Sequence, residues 1–245
     1  MSGVTLQSEE LTAGGLVYGA SARPSGRNVH ARLQVLEALC PFPKGSAADL
    51  GCGRGAYATE LARRFDHVIG VDIVAQNIDH ARMNVHGNVE FHCAALEGIP
   101  LGVESVDAAF LIEVLDHVGD VEKCLAEVRR VLRPGGKAYI SVPNAFFPFE
   151  GHPVKIFGRF FHPWLFPFLN WTPFHDRMAT ARIFRRQKLC ELCKSCGFEI
   201  VASDYVVVPL EYRFKALRPI VSAVGRTQLK PLISISFVVA LEKKG

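Results

Sequence analysis

The stretch DLGCGRGAY, Asp49 to Tyr57, constrains this chain more than any other. A short apolar run at 46–50 leads into it and a helical pattern at about 55–65 leaves it. Gly51, Gly53 and Gly55 therefore sit in a tight strand-to-helix turn. Glycines there let a ligand approach bare backbone at a helix N-terminus, where amide hydrogens are unpaired. A tight turn with no ligand satisfies the same three glycines. The next apolar run, HVIGVD, ends on Asp72, about 20 positions after Gly51, the spacing at which an acid can accept from two ribose hydroxyls.

Strands are expected at 46–50, 67–72, 88–93, 106–111 and 137–142, and helices at about 55–65, 75–86 and 120–132. A helix also follows Ser25, with Val29, Leu33, Leu36 and Leu39 on its apolar positions. Strands alternating with helices make an α/β chain, a parallel sheet with helices on both faces. In such a doubly wound sheet the glycine turn and Asp72 share the carboxyl edge, where ligands bind.

The ligand class can be narrowed. Asp49 precedes the turn directly, and a carboxylate there repels a pyrophosphate but suits a cation. No Lys-Ser or Lys-Thr follows the glycines, so a Walker-type phosphate loop is excluded. The chain also ends in two β-rich segments, FEIVASDYVVV and LISISFVVALEKK, without a second nucleotide-binding half.

Taken in order, these segments resemble a family. DLGCGRG, VIGVDI, VESVDAAFLIEVLDHV and EVRRVLRPGGKAYISVPN, across about residues 45 to 144, are similar to the successive motifs of the class I S-adenosylmethionine-dependent methyltransferases that act on small molecules. The resemblance implies a Rossmann-like, seven-stranded, mostly parallel sheet whose last strand inserts antiparallel. It implies S-adenosylmethionine as cofactor, held by the loop Gly51, Cys52, Gly53 and Gly55, with Asp49 near the methionine ammonium and Asp72 and Ile73 at the ribose. Ala95 and Leu96 would meet the adenine. Many members carry an acid where this chain has Ala95, so backbone groups would replace one adenine contact. Glu113, after the fourth strand, faces the same edge as a cofactor contact, and a helix cap or surface carboxylate fits it equally.

Methyl transfer from a sulfonium is an in-line displacement in which positive charge on sulfur disappears. The site must mainly align the acceptor and exclude water. A base helps when the acceptor carries a proton. His117 lies near the cofactor edge but reads as a turn residue. His152 and His175, with His162, fall in the segment after Asn144, and His152 or His175 is the favoured base.

That segment, 145–174, holds 9 of the 17 Phe, both Trp and five of the 14 Pro, and is expected to form a lid over the acceptor side. It suits a flat or lipidic acceptor, or a hydrophobic cover packed on the sheet edge. A third reading sets its aromatics, beside Arg177, Arg182, Arg185 and Arg186, on an anionic membrane surface. The chain divides as a single methyltransferase domain with an N-terminal helical cap (1–44), a cofactor core (45–144), a lid (145–185) and a C-terminal helix and strands (186–245).

Net charge is only +4, so nucleic acid is not an expected partner. No obligate protein partner is evident either. The start MSGVTLQSEE lacks both a basic and an apolar leader region, and no apolar stretch reaches the ~20 residues of a spanning helix. A cytoplasmic protein is expected. Seven scattered cysteines suit free thiols, and Cys190, Cys193 and Cys196 lie along one helix face as small apolar residues rather than metal ligands. The expected function is methylation of a small hydrophobic acceptor, on oxygen. Methylation of a glycan or polar metabolite, and a non-catalytic cofactor-binding module, are the alternatives.

Overall fold

The computed structural model describes residues 26–147, 182–207, 223–224, 226–227 and 229–244, together with the short pieces 11–13, 16–18, 154–156 and 159–161. His152, His162 and His175, and most of the expected lid, lie outside the described residues.

Two short strands, β1 (Leu11–Ala13) and β2 (Leu16–Tyr18), pair antiparallel ahead of helix α1 (Gly26–Leu39). The cofactor half follows as β3 (Ser46–Leu50), α2 (Ala56–Leu61), β4 (His67–Asp72), α3 (Ala75–Asn84) and β5 (Val89–Cys93). The chain then crosses back to form β6 (Val106–Ile112), α4 (Val121–Val131) and β7 (Leu132–Pro143). A small antiparallel pair, β8 (Val154–Ile156) and β9 (Arg159–Phe161), lies within residues 145–185, the stretch expected to form a lid. The end of the chain supplies α5 (Arg186–Ser195), β10 (Phe198–Val207) and β11 (Ser234–Lys243).

The main sheet has seven strands in the order β10-β11-β7-β6-β3-β4-β5. Strands β7, β6, β3, β4 and β5 run parallel, while β11 inserts antiparallel between β7 and β10. This is the doubly wound α/β arrangement expected from the sequence. The central strands are buried on both faces, which is why SAADL and VDAAFLI read as mostly apolar runs without alternation.

Alternation along β6 divides the core. Ala108, Phe110 and Ile112 face one side with α1, α2 and α3, and Ala109 and Leu111 face the other with α4 and α5. On the first side Phe110 stacks on Tyr139 at 4.9 Å between ring centres, and Phe42 meets both rings edge-on. The Tyr139 hydroxyl donates to the Pro41 carbonyl at 2.9 Å, so the one polar atom in this aromatic layer is satisfied. On the second side α4 starts where Asp120 accepts from the Lys123 amide and buries Cys124, Leu125, Val128 and Val131 along one stripe. Cys193 is fully buried beside it on α5, and Cys190 and Cys196 pack against the same core. Burial pushes the Cys193 thiol up, as expected of a small apolar residue.

Three elements differ from their expected bounds. Helix α2 stops at Leu61, not near residue 65, because the chain turns so that the Asp66 amide can bond the Gly45 carbonyl. Helix α3 ends at Asn84 before Gly87, whose φ of +102° reverses the chain. Strand β7 begins at Leu132, five residues before the expected 137. Leu132 already pairs with Val106, and the next pairing is Ala108 with Lys137, so a bulge in β7 absorbs the turn-like RPGG. Among the described residues no helix is long and apolar enough to cross a membrane.

Candidate cofactor site

The strand order reverses between β3 and β6, since β4 and β5 lie on one side of β3 and β6 and β7 on the other. A crevice opens at such a switch point, outside the carboxyl ends of the strands. The loop after β3 forms one wall. Gly51, Gly53 and Gly55 all have positive φ, of +79°, +52° and +83°. Gly51 could not be otherwise, since a Cβ there would stand 2.0 Å from a methyl carbon of Val114, just beyond β6. The two walls therefore touch at Gly51 and Val114.

The loop is held from β4. Gly51 and Cys52 both donate amide hydrogens to the Val71 carbonyl, at 2.7 and 3.0 Å. Asp72 accepts from the Gly53 amide at 2.8 Å and from the Val74 amide at 2.9 Å. Each carboxylate oxygen has two lone pairs, so Asp72 can brace the loop and still accept from a ligand. Cys52 is buried under the loop, and burial followed by Asp49 and Asp72 raises its thiol. Ile73 is exposed beside Asp72. Ala95 precedes a 3-10 turn over Leu96–Gly98, and Leu96 is buried against the core. The Asp72↔Cys93 register places this turn next along the same edge.

Asp49 is the sharpest electrostatic feature. It is 1% exposed, and its Oδ2 has no hydrogen-bond partner. Burial pushes its pKa up to about 7; the Ala58 amide opposes this and the Asp72 charge adds to it. A buried, under-satisfied carboxylate is costly unless a cation or donor meets it.

Across the crevice Glu113 adopts φ +55°, left-handed backbone that a glutamate rarely takes. Its amide donates to the Ser141 carbonyl at 2.8 Å. Its Oε1 accepts from Arg32 Nη1 at 2.6 Å and from Ser141 Oγ at 2.5 Å. Nothing in the sequence indicated Arg32, which lies 81 positions away on α1. The Glu113 side chain is half-buried, 31% exposed, between these partners. Tyr57, on α2, sits within reach of the same charges: burial raises its hydroxyl to about 12, with Arg32 opposing and Glu113 and Asp49 adding. His117 Nε2 lies 3.3 Å from Asp116 Oδ2 in the turn after β6, and Arg182 fastens that turn through the Val118 and Gly119 carbonyls.

Residues 48–140 match the family model described as a methyltransferase domain. The match begins beside Asp49 and ends in β7, so it spans both walls of the crevice. Residues 48–140 are a class I S-adenosylmethionine-dependent methyltransferase domain. The dimethylglycine N-methyltransferase of Parasynechococcus marenigrum is 37% identical over 134 residues, 51% of this chain and 46% of that protein. An O-methyltransferase of Pyrenophora dematioidea is 33% identical over 175 residues, covering 69% of this chain and 60% of its own length. The matched stretches thus span roughly half of these curated relatives. An S-adenosylmethionine-dependent methyltransferase from Mesorhizobium loti shares the fold, with TM-score 0.63 and 21% identity over 87% of this chain and 98% of that one.

The residues of the methyltransferase domain fit S-adenosylmethionine. The unpartnered Asp49 oxygen suits the methionine ammonium, the glycine loop offers bare backbone, and Asp72 keeps acceptor capacity for the ribose.

Proposed function

We propose that this protein transfers a methyl group from S-adenosylmethionine to the oxygen of a small, hydrophobic acceptor. The observation that carries the reading is the buried, unpartnered Asp49 oxygen beside a glycine loop at the switch point, which calls for a cationic ligand. When bound, S-adenosylmethionine supplies an electrophilic methyl on a cationic sulfur. Asp49 would hold the ammonium, Gly51, Cys52, Gly53 and Gly55 would line the amino-acid end, and Asp72 with Ile73 would hold the ribose. Ala95 and Leu96 would border the adenine, and Glu113 the opposite wall.

Oxygen as the target is supported by the Pyrenophora relative, whose sequence match covers 69% of this chain against 51% for the N-methyltransferase. A hydrophobic acceptor is supported by the aromatic segment after Asn144, proposed as a lid that excludes water. A hydroxyl acceptor must lose its proton, and His152 or His175 is proposed to take it. A second reading, methylation of an amine, is favoured by the higher identity to the N-methyltransferase.

The test is a panel of hydroxylated aromatics, fatty hydroxy compounds, sugars and amines, incubated with S-adenosylmethionine carrying a deuterated methyl group. Mass spectrometry should find label on an apolar hydroxyl compound. Label confined to amines or sugars would overturn the oxygen or the apolar assignment, and S-adenosylmethionine binding without any transfer would favour a non-catalytic module.

A further inference from the structure

Strained backbone costs free energy and clusters at functional sites, and a partly buried charge pair costs desolvation. Both occur at Glu113. Its left-handed backbone is pinned to β7 through the Ser141 carbonyl, and Val114, the next residue, packs on Gly51 of the cofactor loop. Its carboxylate, 31% exposed, is held by Arg32, whose side chain is 14% exposed. Arg32 Nη1 also reaches Ser141 Oγ at 3.3 Å, and Nη2 lies 3.5 Å from Ser236 Oγ. One side chain of α1 thus ties together the ends of β6, β7 and β11 beside the crevice. The apolar face of α1, Val29, Leu33 and Leu36, already docks the helix, so the guanidinium is not required to attach it. Burial alone would lower the guanidinium pKa, but Glu113, with Tyr57 and Asp116, outweighs it and the net shift is upward, so the guanidinium stays charged.

We propose that Arg32 is a positioning residue of the cofactor site: it holds the Glu113 carboxylate at the crevice wall in the orientation that contacts the bound cofactor, and so couples the docking of α1 to cofactor affinity. This rests on the reading of the crevice as the S-adenosylmethionine site. The site is then built from three regions far apart in sequence, the glycine loop, the end of β6 and the N-terminal helix. By linkage, ligand binding must tighten α1 by the same factor that α1 tightens ligand binding.

The experiment uses the full chain and S-adenosylhomocysteine as probe, measured by calorimetry, with thermal unfolding and hydrogen exchange of α1 alongside. Arg32→Met should weaken binding by at least about tenfold and Arg32→Lys by less. Ligand should slow exchange of residues 29–39 in the unaltered protein and not in Arg32→Met. The deciding variant is Arg32→Met with Glu113→Gln. It strands no buried charge, so it should recover the thermal stability that Arg32→Met loses, while affinity stays as weak as in Arg32→Met. Recovery of affinity together with stability would show the pair to be scaffolding and overturn the proposal. Unchanged affinity in a folded Arg32→Met would do the same. Absence of binding by the unaltered protein would instead fail the cofactor reading, and this proposal with it.

Discussion

With Asp49 paired to the methionine ammonium as proposed, cofactor binding is expected to depend on pH. Its pKa is raised to about 7, so at neutral pH half of the ligand-free molecules carry it protonated. A methionine ammonium needs the ionised form. If only that form binds, affinity weakens about fivefold from pH 7 to pH 6, and about tenfold per unit below that. Binding near pH 6 should then release nearly one proton. Calorimetry with S-adenosylhomocysteine in buffers of different ionisation enthalpy reads that proton directly. The Asp49→Asn variant should bind weakly at pH 7 and lose both the pH dependence and the proton. The same group acts on folding in the opposite sense. In the folded chain it takes up a proton below about 7, whereas unfolded it does so near 3.8. The native state therefore binds more protons between those values, and the ligand-free protein loses stability as pH rises through that window. The whole effect is about 4 kcal/mol if the full shift is expressed. Ligand should remove most of this loss. A dissociation constant flat from pH 7 to pH 5.5, with heats independent of buffer, would refute the pairing of Asp49 with the ammonium.

Asp72→Ala removes the acceptor for the Gly53 and Val74 amides as well as the proposed ribose contact, so S-adenosylmethionine binding should fall at least about tenfold in isothermal titration. Gly51→Ala forces a methyl against Val114 in left-handed backbone and should cost about 2–4 kcal/mol in denaturant unfolding; a combined Gly51→Ala, Val114→Ala chain should regain part of it. Trp164→Ala or Trp171→Ala, in the proposed lid, should raise the KM for the acceptor more than the Kd for cofactor, and a parallel loss of cofactor affinity and stability would make these residues core instead.

Reading the sequence located the strands well because the central ones are buried on both faces, and a short run such as VDAAFLI, apolar at every position but Asp107, leaves little choice. The glycine loop was legible for a related reason: positive φ at Gly51, Gly53 and Gly55 leaves a mark in the residues themselves. What stayed hidden was long-range polar contact. Arg32 looks like one more polar position on an amphipathic helix, and Ser141 and Ser236 like ordinary strand residues. Only the sheet order brings them to Glu113. The start of β7 was hidden too, since RPGG carries a turn signature that the pairing of Leu132 with Val106 overrides.

The insertion of β11 between β7 and β10 sets a timetable for folding. During synthesis, β3 to β7 can assemble while the outer side of β7 remains an open strand edge, apolar and able to pair with a neighbouring chain. Among the described residues β10 pairs with β11 and not with β7, so β10, although it emerges first, does not cover that edge in the finished sheet. The β7 edge is therefore expected to stay open to mispairing until residues 234–243 leave the ribosome. A ligand that stabilised the early strands would not close this window. A chaperone that masked the β7 edge, or slower initiation that kept nascent chains apart, would.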